Sequence, residues 1–273
     1  MTQKDKLPIS ALVVSFNEAD ILARCLNSIQ FCDEIIVYDL GSSDNSVEVA
    51  KNAGATVRKH KRVPHAELIY AEGLSELKHD WVLLTDPDEE VDAELQKELL
   101  EKFKKLPARV AAVRVPMQYY FKSHALKGTI WGGVSDHRLL VNRKRVYFRP
   151  LVNTPVVIKE GFEPYGQPYK KGLVHHYWMR SYHEFFAKHR RYLKKEALAR
   201  YERDERSSYR GILWSPWRSF RESFFTKKGY LDGPLGFFLS LFWAWYNTSA
   251  LIRLKREQIK RGDGWLRLPR FFQ

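Results

Sequence analysis

The 273-residue chain is predicted to fold as an α/β protein with a doubly wound, mostly parallel sheet. Short aliphatic and β-branched runs alternate with segments of helical periodicity over the first hundred residues, which is typical of β-α-β units. Polar residues follow the predicted strands directly. A hydrophobic content of 44% excludes a disordered chain, and the length allows one large core or two smaller domains.

The first β-α unit begins with residues 9–16, a short aliphatic run typical of a buried parallel strand. A helix is expected to begin at Asn17, because the apolar residues after it recur at helical spacing. Residues 34–39 predict the second strand. Ser43 or Asp44 can then cap a second helix.

The next two strands are separated by another helix. Gly54 ends the second helix, and residues 55–58 predict a short third strand. A helix is predicted over residues 66–78, followed by the fourth strand at residues 81–85. A parallel sheet of this kind binds its ligands beyond the carboxyl ends of its strands.

The polar residues at the strand ends form three groups of acidic, amide and hydroxyl side chains. They are Asn17 and Glu18 after the first strand, Asp39 and Ser42 after the second, and Asp86, Asp88 and Glu89 after the fourth. We expect these groups to converge on one edge of the sheet. The sequence has neither GxGxxG nor GxxxxGK followed by Ser or Thr, which disfavours a dinucleotide site and a P-loop.

Two of these groups suggest chemistry, each with a structural alternative. Asp86 and Asp88 can hold a hard divalent cation that neutralises charge on a departing phosphate. Alternatively, they form an acidic turn that caps a helix beginning near Val91. Asp39 can accept hydrogen bonds from a nucleobase imide or a ribose hydroxyl, or it can satisfy its own loop as an Asx residue.

The charge is placed unevenly along the chain. Residues 1–100 hold 10 Lys/Arg and 19 Asp/Glu, whereas residues 101–273 hold 36 and 13. A basic second half leaves nucleic acid, anionic lipid and phosphorylated substrates as candidate partners. Cys25 and Cys32 form neither a disulfide framework nor a CxxC pair, so a reducing compartment is expected. The short apolar run near the N-terminus argues against secretion.

The C-terminal third is predicted to be helical, basic and aromatic. A long helix is expected over residues 182–203. It carries five cations within eight residues, Lys188, Arg190, Arg191, Lys194 and Lys195. Residues 234–252 are the most apolar stretch, which we interpret as a helix lying at a membrane interface. The alternatives are a helix packed on the catalytic domain and, less favoured, a bilayer span.

Several segments together resemble the family-2 glycosyltransferases. The order and spacing of VSFNE (14–18), IIVYDLGSSD (35–44) and WVLLTDPDE (81–89) match that family. The chain is similar to the bacterial lipopolysaccharide-core β-glucosyltransferase-like branch. WGGVSDHRLL (131–140), LVHHY (173–177) and GYLDGPLGF (229–237) resemble segments of that branch.

The resemblance implies a GT-A fold, a nucleotide-sugar donor, usually UDP-linked, a divalent metal (Mn²⁺ or Mg²⁺) and inversion at the anomeric carbon. Asp39 would contact the uridine, Asp86 and Asp88 would hold the nucleotide and metal, and His176 would complete the metal site. Asp136 would be the general base. The remaining donor-binding residues would be Ser15, Asn17, Glu18, Ser42 and Arg138. From the residues alone, Asp136 is equally a turn aspartate, and His176 is more simply a packed histidine.

The chain departs from the family pattern at two places. Tyr70-Ala71 stands where the family often has a Lys/Arg-Asn pair, and Asn153-Thr154 lies where many relatives have Val-His-Glu. The donor sugar and the acceptor therefore stay open. The domain prediction is a catalytic domain over 1–178, with a nucleotide-binding half (1–100) and an acceptor half (101–178), followed by a helical membrane-associated region over 179–273.

The predicted function is transfer of a sugar to a membrane-held glycolipid such as lipopolysaccharide core. The protein would lie on the inner face of the bacterial cytoplasmic membrane. One alternative is transfer to a polyprenyl phosphate. Another is a non-enzymatic protein that binds nucleic acid or a lipid surface. We disfavour this non-enzymatic alternative, and nucleic acid as a partner, because a binding protein of that kind leaves the acidic strand ends without a role.

Overall fold

A computed structural model describes residues 6–63, 66–148, 156–166 and 172–262. The chain divides into two compact units. The first comprises Met1–Gln118 and Val134–Tyr177, and the second comprises Tyr119–Gly133 and Trp178–Gln273.

The first unit alternates strands and helices along the chain. Its strands are β1 (Leu7–Ser15), β2 (Cys32–Asp39), β3 (Thr56–Lys59), β4 (Trp81–Thr85), β5 (Glu89–Val91), β6 (Val110–Phe121, whose last three residues belong to the second unit), β8 (Val134–Asn142), β9 (Val146–Tyr147), β10 (Val157–Ile158), β11 (Glu163–Gly166) and β12 (Val174–Met179, whose last two residues belong to the second unit). Its helices are α1 (Ala19–Ser28), α2 (Ser46–Asn52), α3 (Glu67–Gly73) and α4 (Ala93–Lys102).

The main sheet has the strand order β3-β2-β1-β4-β8-β6-β12-β5. The strands from β3 to β4 are parallel, and β8 then runs antiparallel to β4 and to β6. Ser15 lies opposite Asp39, and Val13 lies opposite Thr85, so the ends of β1, β2 and β4 are aligned. The prediction of an α/β fold with a Rossmann-like parallel sheet is therefore confirmed.

The centre of the sheet is apolar because β1 has neighbours on both edges and helices against it. Leu12, Ile36, Val82 and Val141, from four adjacent strands, pack in one buried cluster. Burying an aliphatic side chain of this size contributes about 1.5–3 kcal/mol. The polar strand ends therefore extend from a rigid, well-packed base.

Some predicted elements differ from the structure. The helix expected over 66–78 ends at Gly73 and continues as a 3₁₀ turn over Leu74–Glu76. The acidic stretch does not cap a helix near Val91: residues Glu89–Val91 form β5, and Asp92 caps α4 by accepting a hydrogen bond from Leu95 N at 2.7 Å.

The second unit is mainly helical. A hairpin joins the end of β6 to β7 (His124–Ala125), and the helices are α5 (Tyr182–Glu202), α6 (Tyr209–Arg221) and α7 (Gly233–Lys260). Its core is aromatic, with Phe121, Phe185 and Phe242 in one buried cluster. α7 packs against both α5 and α6.

A buried aspartate orders the loop after β7. Asp232 Oδ1 accepts from Lys127 N at 2.8 Å, and its Oδ2 accepts from Gly128 N at 2.7 Å. His124 Nε2 lies 2.9 Å from the same carboxylate. A Cβ on Gly128 would stand 2.1 Å from the carbonyl oxygen of Lys228, so only glycine fits there. The GYLDGPLGF segment thus has a structural role in this unit.

Candidate active site

The loops after β1 and β2 are joined by hydrogen bonds. Asn17 N donates to Ser42 Oγ at 2.9 Å, and Asn17 Oδ1 accepts from Ser43 N at 2.8 Å. Glu18 N donates to Ser46 Oγ at 2.9 Å. Asn17 has a φ of +56°, a left-handed conformation that asparagine tolerates better than most residues. Three of the predicted donor-binding residues, Asn17, Glu18 and Ser42, therefore lie together.

Asp39 is buried beneath these loops at the end of β2. Its carboxylate accepts from Gly41 N at 3.2 Å and from Ser42 N at 3.1 Å, so the Asx interpretation describes its local contacts. A carboxylate has about four acceptor positions, which leaves capacity for an N–H or O–H of a ligand. Ser15, beside it in the sheet, is buried, and its hydroxyl has no hydrogen-bond partner among the described residues.

The chain turns sharply after β4 and holds its acidic residues in place. Glu89 N donates to Asp86 O at 3.0 Å. The Glu89 carboxylate accepts from Thr85 Oγ1 at 2.9 Å and from Asp86 N at 3.2 Å. Glu89 is 4% exposed, so this turn buries a carboxylate directly behind Asp86 and Asp88.

Strand β12 brings a histidine to this turn. It pairs antiparallel with β5, with His176 opposite Glu89. His176 Nε2 lies 3.2 Å from Asp88 Oδ2, and its Nδ1 lies 3.6 Å from Glu89 Oε1. His175 lies on the other face of the strand, where its Nε2 is 3.5 Å from Asp92 Oδ2. The predicted metal ligands Asp88 and His176 are thus in contact.

Burial and crowded negative charge shift the pKa values in this cluster. Burial, together with the charges of Asp86 and Asp88, raises the pKa of Glu89 to about 8. Burial by itself lowers the pKa of His176, but the hydrogen bond to Asp88 and the surrounding carboxylates outweigh it, so the pKa rises. Burial, with a smaller contribution from the charge of His176, lowers the pKa of His137 to about 4.

The donor set suits a divalent cation. Carboxylate oxygens with one imidazole are appropriate ligands for Mn²⁺ or Mg²⁺. Adjacent ligands on one octahedral ion lie about 3 Å apart, close to the 3.2 Å between Asp88 and His176. Within the described ranges, no group of three or more His, Cys, Asp or Glu side chains is arranged to enclose an ion. Mg²⁺ in particular usually takes part of its coordination from substrate phosphates and water.

Asp136 and Arg138 both lie on β8. The Asp136 side chain is 65% exposed, and its Oδ2 is 3.4 Å from Arg114 Nη2. Its carboxylate is therefore accessible to an acceptor. The strand position of Arg138 is described, but its side chain lies outside the described residues, as do Asn153 and Thr154.

Two residues near the acidic turn were not singled out as site residues from the sequence. Tyr70 belongs to the Tyr70-Ala71 pair that departs from the family pattern, and its hydroxyl donates to Asp86 Oδ1 at 3.3 Å. His137 is half-buried, and its buried Nε2 has no hydrogen-bond partner in the described part of the chain. Its position next to Asp136 was the only available signal. No sequence pattern pointed to the contact of Tyr70, because it depends on how α3 packs.

An α/β sheet that gathers carboxylates at the ends of its parallel strands, with a histidine beside them from an antiparallel strand, belongs to the Rossmann-like class of ligand-binding folds. The family described as Glycosyl transferase family 2 matches residues 10–162, which include the three strand-end groups. The chain belongs to this family and is a glycosyltransferase.

Comparison with individual proteins agrees with this assignment. An uncharacterized glycosyltransferase of Rickettsia prowazekii is 26% identical over 261 residues, covering 92% of this chain and 88% of that protein. The lipopolysaccharide core biosynthesis glycosyltransferase LpsC of Rhizobium meliloti is 29% identical over 121 residues, covering 42% of this chain and 44% of LpsC.

Among solved structures, glucosyl-3-phosphoglycerate synthase from Mycobacterium tuberculosis, in complex with Mn²⁺, uridine diphosphate and glucosyl-3-phosphoglycerate, aligns with a TM-score of 0.32. It is 20% identical and covers 42% of this chain and 44% of that chain.

Proposed function

We propose that this glycosyltransferase moves a sugar from a UDP-sugar to a hydroxyl of a membrane-held, anionic glycolipid such as lipopolysaccharide core, with inversion. The donor part of this proposal rests on one observation. Asp88 contacts His176 beside Asp86 and Glu89, at the end of β4. The basic second half of the sequence suits an anionic acceptor. The similarity to LpsC over 42% of the chain supports the acceptor class.

Asp88 and His176 would hold Mn²⁺ or Mg²⁺, which supplies charge neutralisation for a departing diphosphate. Tyr70 holds the Asp86 carboxylate by a hydrogen bond and so orients it at the mouth of the turn. Asp39 would accept the imide N–H of uracil with the acceptor positions that its loop leaves open. The joined loops after β1 and β2 keep Asn17, Glu18 and Ser42 in place for the rest of the nucleotide.

Asp136 would act as the general base for the acceptor hydroxyl. Direct displacement needs a base that the acceptor can reach, and Asp136 is exposed on a strand. A phosphate acceptor needs no such base. The Asp136→Asn variant is therefore expected to lose turnover while keeping donor binding. Full turnover in this variant would favour a polyprenyl phosphate acceptor.

The donor proposal is tested by hydrolysis of a panel of UDP-sugars at increasing Mn²⁺ concentration. Replacing His176 by Ala should raise the half-saturating Mn²⁺ concentration by roughly 10–100-fold, because a metal ligand is lost. His175→Ala is the matched control, since this neighbour contacts Asp92 on the other face. Equal Mn²⁺ requirements in the two variants, or no UDP-sugar turnover in the parent protein, would refute the proposal.

A further inference from the structure

The α6–α7 pair has an unusual distribution of side chains. Small and polar residues lie between the two helices, joined by three hydrogen bonds. The pairs are Ser215 with Thr248 at 3.0 Å, Ser219 with Asn247 at 2.9 Å, and Ser223, just after α6, with Ser240 at 2.9 Å. We call these six residues the polar strip, and its four serines are all buried.

Several large apolar side chains of the same helices are exposed. Leu213, Trp214 and Trp217 of α6 are 76%, 59% and 59% exposed. On α7, Phe237, Leu241 and Trp245 are about half exposed and follow one another at spacings of four residues, so they form one stripe. We call these six residues the aromatic surface. Exposed apolar side chains of this size are unfavourable in water, and an exposed apolar stripe such as that of α7 commonly marks an interaction site.

Cations accompany the aromatic surface. Between residues 209 and 232 the exposed charged residues are Arg210, Arg218, Arg221, Lys227 and Lys228, with Glu222 as the one exposed carboxylate in that fully described segment. Tryptophan favours the headgroup region of a bilayer, and lysine and arginine favour anionic lipid. This combination distinguishes a lipid surface from a purely apolar protein partner.

We propose that the α6–α7 pair is the membrane-insertion element of this protein, entering the headgroup region of an anionic bilayer through the aromatic surface. Packing through small and hydrogen-bonded residues, with large side chains outside, is how helices associate within lipid. The inference deepens the proposed membrane-held acceptor and rests on it only for its biological purpose.

Insertion is interfacial and does not span the bilayer. The segment Gly229–Lys260 is long and apolar enough to cross a membrane by length and composition, although core helices of soluble proteins also meet that criterion. Leu239, Phe242 and Tyr246 of α7 are buried in the aromatic core of the second unit, and Ser240 faces α6. On α7, the stripe through Leu241 is therefore the face available to lipid, next to the exposed residues of α6.

The test is flotation of the full-length protein with vesicles of phosphatidylethanolamine and phosphatidylglycerol, compared with vesicles of phosphatidylcholine alone. The parent protein should float with the anionic vesicles. The triple variant Trp214→Ser, Trp217→Ser, Trp245→Ser should bind the anionic vesicles at least about tenfold more weakly than the parent protein. The matched control is Tyr147→Ser, Phe162→Ser, which removes exposed aromatic residues from the first unit.

Vesicles with brominated acyl chains provide a second measurement. They should quench part of the tryptophan fluorescence of the parent protein, and Trp214→Phe, Trp217→Phe, Trp245→Phe should abolish the quenching while preserving binding. Binding without quenching would reduce the proposal to electrostatic adsorption and overturn insertion. A dimer that covers the aromatic surface, with no vesicle binding, would also overturn it. UDP-sugar hydrolysis by each variant, measured without vesicles, separates failure of this inference from failure of the proposed donor chemistry.

Discussion

The β1-centred core of the first unit and the α6–α7 pair of the second place large and small side chains in opposite ways. In the sheet, Leu12 and Val82 are fully buried and the polar groups stand at the strand ends. In the helix pair, Ser215 and Ser219 are buried, and Trp214 and Trp217 face outward. One arrangement is stabilised by removing apolar surface from water, whereas the other leaves that surface available to a different solvent.

The comparison is tested most strongly by removing one large apolar side chain from each region. Leu12→Ala should lower the free energy of unfolding by about 2–5 kcal/mol, because it leaves a cavity in a packed core. Leu213→Ala should change it by less than about 0.5 kcal/mol in buffer, since that side chain is 76% exposed. Urea unfolding measures both. Comparable losses would mean that Leu213 is covered in solution.

The strand ends should respond in activity rather than in stability. Asp88→Asn should reduce donor turnover on the order of 10²–10³-fold, because it removes a charge that stabilises the departing diphosphate. Asp80→Asn is the matched control, since that carboxylate pairs with Lys144 at 2.8 Å. The melting temperature should stay close to that of the parent. Retained turnover in Asp88→Asn would exclude this carboxylate from catalysis.

The buried Glu89 should make the metal-free protein sensitive to pH. Its pKa in the folded protein is about 8, against an ordinary value of 4.5, so between these values the folded state holds a proton that the unfolded chain releases. The free energy of unfolding therefore falls as pH rises through this range. In chelator, Glu89→Gln should raise the melting temperature more at pH 8 than at pH 5, by an amount equivalent to about 1 kcal/mol or more. An equal shift at both pH values would contradict a raised pKa.

The smallest expected effect concerns the polar strip between α6 and α7. The hydrogen bond from Asn247 Nδ2 to Ser219 Oγ should contribute about 0.5–1.5 kcal/mol. A double-mutant cycle with Ser219→Ala and Asn247→Ala measures this coupling by urea unfolding. A coupling near zero would mean that the pair is held by packing alone.

Local elements were largely predictable from the sequence. The strands of the parallel sheet follow short aliphatic runs, and α5 begins at Tyr182 as predicted, with Ser181 accepting a hydrogen bond from Glu184 N at 3.1 Å. Three-residue β5 was missed. It reads as an acidic turn in the sequence, and it is a strand only because β12 pairs with it. A strand that depends on a partner 85 residues away has no local signal.

The candidate site likewise contains residues that the sequence predicted and a contact that only the packing produced. The groups at Asn17, Asp39 and Asp86 could be assigned to strand ends because the order of strands and helices implies a parallel sheet. The resemblance to a known family, rather than the residues alone, pointed to His176. The contact of Tyr70 with Asp86 was not predictable, because it depends on the rotation of α3 about its axis.

The sequence by itself determined the order of strands and helices, the family, and the residues that end each parallel strand, since these follow from periodicity and spacing along a short stretch of chain. Only the tertiary structure decided that Asp88 meets His176 across 88 residues and that Ser219 rather than Trp217 faces the neighbouring helix. Both outcomes depend on strand register and helix rotation, which are set by the packing of distant segments against each other.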